Sequence, residues 1–292
     1  MDKTEQPASK TKRGLQLLLK IVVTVACLWF VYTKISFAEL RSVLATANPG
    51  WLLVALVVFV GSKIIASFRL NIYFKNIGLP LSEKENLKLF WLGMFYNLFL
   101  PGSITGDAYK VIVLSKRFNC PYKKTSAAVL LDRFSGLLAL GLILAVYSFF
   151  VLGNISYSIL LLAGAIASVF ILFFIIKRFF TDFTAGFRPT FFLGLAVQTL
   201  MVLSIYAILY ALGILEQQSI YIFIFLVAAV ASVLPLTVGG GLGIREFVFY
   251  KGAVFLGVNE HMAIVISLVF YFITLAASLS GAVFIFRKVF DK

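Results

Sequence analysis

Leu100-Pro101-Gly102-Ser103-Ile104-Thr105-Gly106 and Leu234-Pro235-Leu236-Thr237-Val238-Gly239-Gly240 are the two stretches on which the fold turns. Aligned on Leu-Pro, both read Leu-Pro-x-(Ser/Thr)-(Ile/Val)-x-Gly. Each lies in the middle of a long apolar block, residues 86–115 and 219–257. About 20 residues cross a bilayer as a helix, so both blocks are too long for one crossing. Proline removes a backbone donor and glycine frees the backbone, which places a break at each site. Gly241 and Gly243 extend the second break.

Six further apolar blocks surround these two, at residues 15–33, 51–74, 127–152, 157–176, 189–213 and 262–286. Each fits a single helix. Of the 292 residues, 61% are hydrophobic and 13% charged, with a mean hydropathy of +1.02. A soluble domain has roughly 25% charged residues and could not bury so much apolar surface in one core. The composition excludes a soluble enzyme, a disordered chain and a disulfide scaffold, and predicts an all-α polytopic membrane protein. The run Leu15–Tyr32 follows Lys10, Lys12 and Arg13 like a signal peptide, but it is long enough to span and reads as a retained anchor. Cys27 and Cys120 suggest neither a disulfide nor a metal site.

The net charge of +14 reads as cytoplasmic loop charge under the positive-inside rule and not as nucleic-acid binding. Lys3, Lys10, Lys12 and Arg13 mark the tail; Arg69, Lys75, Lys84 and Lys88 surround the next basic segment; Lys116, Arg117, Lys123 and Lys124 follow. Lys177, Arg178 and Arg188 form another group, and Arg287, Lys288 and Lys292 end the chain. The loops at 153–156, 214–218 and 258–261 contain no Lys or Arg. If blocks 86–115 and 219–257 dip in and return, every basic loop falls on one side. The fold expected is therefore six spanning helices plus two re-entrant, Pro/Gly-broken hairpins in inverted orientation. Residues 1–14 form a basic cytoplasmic tail, 15–287 one transmembrane domain, and 288–292 a cytoplasmic C-terminus. Each hairpin arm of about 14–16 residues is roughly 21–24 Å of helix, enough to pass mid-depth. Such inverted pairs place a binding site where their broken elements meet. In the alternative, Pro and Gly merely kink long tilted helices.

Ionisable residues inside the blocks define the candidate site. A charge at the bilayer centre costs about 2.5–3.5 kcal/mol on insertion scales, so such residues face protein or water. Asp107 and Lys110, three apart, share a helix face after the first break. Arg245 and Glu246 follow the second, and Asp132-Arg133 opens the fourth block. Adjacent helical residues diverge by about 100°, so each adjacent pair is expected to find partners on other elements. Arg suits phosphate through its bidentate fork, and the carboxylates would take an amine or tune the arginines. A purely structural salt-bridge network is the competing reading. Lys20 and Lys63 are read as structural. The glycines before Arg245 suggest anion binding by backbone N–H groups at a helix N-terminus. His261 is the single histidine; no metal spacing or nucleophile triad is present, and no catalytic residue, cofactor or metal is expected.

Three stretches resemble the transmembrane region of the lysylphosphatidylglycerol synthase/flippase family: Asn97 to Asp107, Leu130-Leu131-Asp132-Arg133-Phe134-Ser135-Gly136, and Leu234 to Glu246 through Gly241-Leu242-Gly243-Ile244-Arg245. Gly78-Leu79-Pro80-Leu81 is also similar. The resemblance implies an integral domain that moves lipids between leaflets, with cavity residues at Asp107, Asp132, Arg133, Arg245 and Glu246. In bifunctional relatives a soluble aminoacyl-transferase domain follows; this chain ends at Lys292, and lysyl transfer is not expected of it. Lys110 stands where the family often has Arg, and this chain carries an extra glycine before Leu242.

The expected function is an integral membrane lipid transporter or flippase, not an enzyme, in a bacterial or archaeal cytoplasmic membrane with both termini cytoplasmic. Its partner is a membrane phospholipid or polyprenyl-type lipid, with a lipid-modifying enzyme and an oligomer as further candidates. The alternative is a membrane-embedded enzyme or enzyme subunit acting on lipid phosphates.

Overall fold

The structure, a computed structural model, describes residues 45–100, 104–233, 243–286 and 289–290, together with Val22 and Trp29. The tail, most of the block at 15–33, and the break residues Pro101, Gly102, Ser103, Pro235, Thr237, Gly239, Gly240 and Gly241 lie outside the described residues. Among those described, all regular structure is helical, with no strand. The long elements are α1 (Pro49–Asn76), α2 (Glu83–Phe99), α3 (Thr105–Arg117), α4 (Tyr122–Val151), α5 (Ile155–Phe179), α6 (Phe187–Ala211), α7 (Gln218–Val233), α8 (Ile244–Leu256) and α9 (Glu260–Leu279). A further turn of helix continues α9 to Phe286. Five segments are long and apolar enough to cross a membrane: α1, α4, α5, α6 and Glu260–Phe286.

Local chemistry sets the helix starts. Asn48 caps α1, its Oδ1 accepting from Gly50 N at 2.9 Å, with Pro49 in the first turn where no donor is needed. Ser82 and Glu85 form a reciprocal capping box that starts α2 three residues before the apolar block predicts. Asn259 caps α9 through Met262 N at 3.0 Å.

α1 and α6 pack antiparallel along their length. Asn48 N donates to Ala211 O (2.8 Å), Ser204 Oγ to Ala55 O (2.9 Å), Ser62 Oγ lies 3.4 Å from Met201 Sδ, and Tyr73 pairs with Thr190 (2.9 Å). Small residues at these crossings let the backbones approach, the usual basis of helix association without a hydrophobic drive. α4 runs parallel to α6: Gln198 Nε2 donates to Gly136 O at 3.2 Å, and Tyr147 meets Tyr206 at 3.3 Å. α5 lies at the periphery, with only Ser158 and Ile176 buried. Its exposed Leu160, Phe170 and Phe174 form an apolar face that lipid, not water, accommodates. The chain is an integral membrane protein.

The two broken blocks fold as helix pairs. Tyr96 on α2 stacks edge-on with Tyr109 on α3 at 4.9 Å, Phe90 meets Lys110 at 4.6 Å, and Asn97 meets Gly106, so the arms run antiparallel. The entry and exit of this pair are neighbours: residues 77–80 and 118–121 line one crevice. In the second pair, Ile224 of α7 lies against Gly252 of α8. Lys124 reaches from the start of α4 to Asp182 between α5 and α6 at 2.8 Å. Basic residues thus gather at one end of the bundle; the opposite connections at 152–154, 212–217 and 257–259 contain none. One residue departs from the loop reading. Arg69 is not a loop charge: it lies within α1 and is 6% exposed.

Gly106 shows why a small residue is needed in the first pair. A Cβ there would overlap the backbone of Gly93, whereas one on Gly61 would meet nothing. Gly106→Ala is expected to lower stability by about 1–3 kcal/mol through overpacking, while Gly61→Ala is neutral or stabilising. Thermal unfolding of the detergent-purified protein checks this, and equal midpoints for the two variants would contradict it.

Candidate functional site

Asp107 of α3 gathers two cations, one from its own helix and one from α4. Lys110 Nζ donates to Oδ1 at 3.0 Å, one helical turn along α3, and Arg133 Nε donates from α4 to Oδ2 at 2.6 Å. Lys110 is buried, its ammonium 4.6 Å from the Phe90 ring of α2. Arg133 keeps 32% of its side chain exposed. This cluster ties α2, α3 and α4 together.

A second cluster stands at the start of α8. Gly243, with φ at +91°, is the N-cap, a conformation in which a Cβ is strained. Its N–H donates to Glu246 Oε2 at 2.6 Å. Ser267 of α9 donates to Glu246 Oε1 (2.8 Å) and accepts from Arg245 Nε (3.0 Å), and Arg245 Nη2 reaches the same Oε1 at 3.2 Å. The Arg245 guanidinium lies 5.2 Å from the Phe270 ring. Arg245 and Glu246 both find a partner on another element, Ser267 of α9, and in addition pair with each other. One expectation changes here. The N–H of Gly243 serves the protein's own carboxylate, so at that position it is not open to an anion.

Asp132 sits apart. It takes a bidentate contact from Arg69 of α1, Nε to Oδ1 at 2.7 Å and Nη2 to Oδ2 at 3.1 Å, and both side chains are buried. Arg69 packs over Gly136 and beside Gly194, locking α1, α4 and α6. The divergence of Asp132 and Arg133 is as helical geometry requires: one reaches α1, the other α3. Asp132, placed among the substrate residues by its sequence, does not line the cavity described next.

That cavity, of about 350 Å³, is lined by α1, α2, α4, α6, α7, α8 and α9. Its size suits a small headgroup, since ligand pockets run about 300–1,000 Å³. Arg133 and Arg245 both reach it, and so does Lys63. Asp107, Lys110 and Glu246 stand behind the arginines as their partners. Lys63, read as structural from sequence, is near the middle of α1. Its Nζ lies 4.6 Å from the Phe59 ring and 3.6 Å from Met201 Sδ, and no carboxylate is within ion-pair distance among the described residues. Nothing in its flanking sequence, Gly61-Ser62-Lys63-Ile64-Ile65, marks it; only the convergence of seven helices does. Asn97, Ser232 and Thr274 add polar atoms. Among the described residues no group of three His, Cys, Asp or Glu side chains converges as metal ligands would.

Compared with known protein families, residues 17–281 match the lysylphosphatidylglycerol synthase TM region. A UPF0104 membrane protein of the archaeon Pyrococcus horikoshii is 26% identical over 124 residues, 42% of this chain. That match spans 36% of the relative's length, about a third of it.

The Arg69–Asp132 pair is buried, so removing one partner strands a charge. Arg69→Met is expected to destabilise by about 3–5 kcal/mol, and Arg69→Met with Asp132→Leu to recover most of that. Chemical unfolding of the purified variants measures both; a double variant as weak as the single would argue against charge compensation as the pair's role.

Proposed function

The chain belongs to the lysylphosphatidylglycerol synthase TM region family, and from that premise we propose that it carries a phosphate-bearing lipid between leaflets through the cavity of Arg133, Arg245 and Lys63. The observation that carries this reading is the convergence of three cations on one cavity lined by helices of both pairs, with Lys63 near the middle of α1. Cations at that depth are costly, and in membrane proteins they mark substrate paths. The headgroup would rest against the guanidinium groups while the acyl chains remain in lipid. No chemical step is assigned to the chain.

In this reading α2–α3 and α7–α8 are re-entrant hairpins that enter from opposite faces of the membrane, beside six spans of which the first precedes α1. The common crevice of residues 77–80 and 118–121 supports a return of the first pair to its face of entry. The clustering of Lys and Arg at that end supports its being cytoplasmic, in a bacterial or archaeal cytoplasmic membrane. One pair carries Asp107, which holds Arg133; the other carries Arg245. Rocking of one half against the other would expose the cavity to each leaflet in turn. A charged headgroup makes the movement responsive to membrane potential, at about 2.3 kcal/mol per charge per 100 mV. A separate enzyme that modifies the lipid and a second copy of the chain are the partners this role would admit.

Proteoliposomes with a fluorescent phospholipid in both leaflets test the role. Transbilayer movement above protein-free vesicles is expected. Arg133→Gln, which leaves Lys110 on Asp107, should slow it about tenfold or more, the worth of a charge-assisted hydrogen bond. Rates equal to protein-free vesicles across several headgroups would refute transport.

A further inference from the structure

Among the described residues, Asp107 and Glu246 beside the cavity, and Asp132 apart from it, are each held by a cation. Asp107 takes Lys110 on one oxygen and Arg133 on the other. Glu246 takes Gly243 N on one oxygen, and Arg245 with Ser267 on the other. Asp132 is bound on both oxygens by Arg69. None of the three is left for a ligand amine. Against Asp107 and Glu246 stand Lys63, Lys110, Arg133 and Arg245, a surplus of two positive charges.

Of the neutral polar groups, Asn97 leans the same way, while two hydroxyls are left as acceptors. Asn97 Oδ1 accepts from Gly106 N at 2.8 Å, which fixes the amide and leaves its NH₂ as the donor at the wall. Ser232 and Thr274 give their hydroxyl protons to Ala228 O and Phe270 O, at 2.8 and 2.9 Å. The wall thus offers an ammonium, guanidinium groups and an amide NH₂ as charged or strong donors, with the Ser232 and Thr274 oxygens as its neutral acceptors. A ligand that matches it brings acceptors and negative charge. A phosphate monoester carries about −1.5 to −2 at pH 7 and offers acceptor oxygens only. A phosphodiester carries one charge, and an aminoacyl ester adds an ammonium that would face Lys63.

Resting on the transport reading, we infer that the cavity selects a lipid ending in a phosphate monoester, and that Lys63 is the residue that sets this preference. Lys63 supplies a charge that no carboxylate among the described residues pairs with, and the arginines, braced by Asp107 and Glu246, supply directional donors. An aminoacylated lipid is disfavoured by the same charges.

Native mass spectrometry of the full chain with added phosphatidate, phosphatidylglycerol, phosphatidylcholine or lysylphosphatidylglycerol ranks the headgroups by retained lipid. Phosphatidate is expected to be retained about tenfold over phosphatidylglycerol, as one more charge-assisted contact implies, with the lysyl ester weakest. Lys63→Gln should abolish the margin between the first two, and Lys63→Arg should preserve it. Equal retention of all four lipids, a preference for the lysyl ester, or an unchanged margin in Lys63→Gln would overturn the inference. If Lys63→Gln fails to fold, the wild-type ranking decides alone. Inorganic phosphate that displaces phosphatidate at equal concentration would show a site for the free anion and overturn the lipid assignment. The transport reading falls separately: a protein that ranks lipids as expected yet moves none in vesicles keeps this preference and loses the transport role.

Discussion

The governing constraint is that charge held away from water must be compensated by the protein itself. A carboxylate or guanidinium at membrane depth has no solvent to screen it, and the cost of leaving it alone is several kcal/mol. The structure meets that constraint by giving each of three carboxylates a donor from another helix. Asp107 draws α3 to α4, Asp132 draws α4 to α1, and Glu246 draws α8 to α9 through Ser267. The ion pairs thereby serve as crossing points of the bundle. They also fix the direction of the arginines, so that Arg133 and Arg245 arrive at the same cavity as Lys63 from separate walls.

Backbone proximity makes those crossings reachable. α2 and α3 approach at Gly93 and Gly106, close enough that no side chain fits between them. That approach brings Asn97 onto Gly106 N and the Phe90 ring to the Lys110 ammonium. At α8, the positive φ of Gly243 turns the chain so that Glu246 reaches back to its own helix start. Glycine thus acts at two places for two reasons, one of space and one of torsion.

Much of this was legible in the sequence because the relevant signals are local. Apolar runs of spanning length gave α1, α4, α5, α6 and α9 directly, and the Leu-Pro-Gly interruptions put the helix ends near Phe99 and Val233 and the restarts at Thr105 and Ile244. The three-residue spacing of Asp107 and Lys110 foretold their contact. What eluded the sequence depends on which helices become neighbours. Arg69 resembles a loop charge when counted with Lys75 and Lys84, yet the packing of α1 on α4 buries it against Asp132. Lys63 resembles a residue able to reach an interface, yet it is too near the middle of α1 to do so and is boxed in by Phe59 and Met201. Arg245 and Glu246 were expected to find partners on other elements, but helical periodicity has no knowledge of which one: a serine on α9 serves both and keeps them in contact.

The central claim is that the described cations form one anion-binding chamber at the middle of the bundle. A density map of the protein in nanodiscs containing phosphatidate tests it most directly. The account predicts a headgroup peak bounded by the Lys63 ammonium and the Arg133 and Arg245 guanidinium groups, with acyl density leaving between helices. A chamber closed by a protein carboxylate on Lys63, with lipid headgroups found only at the outer surface of the bundle, would contradict it.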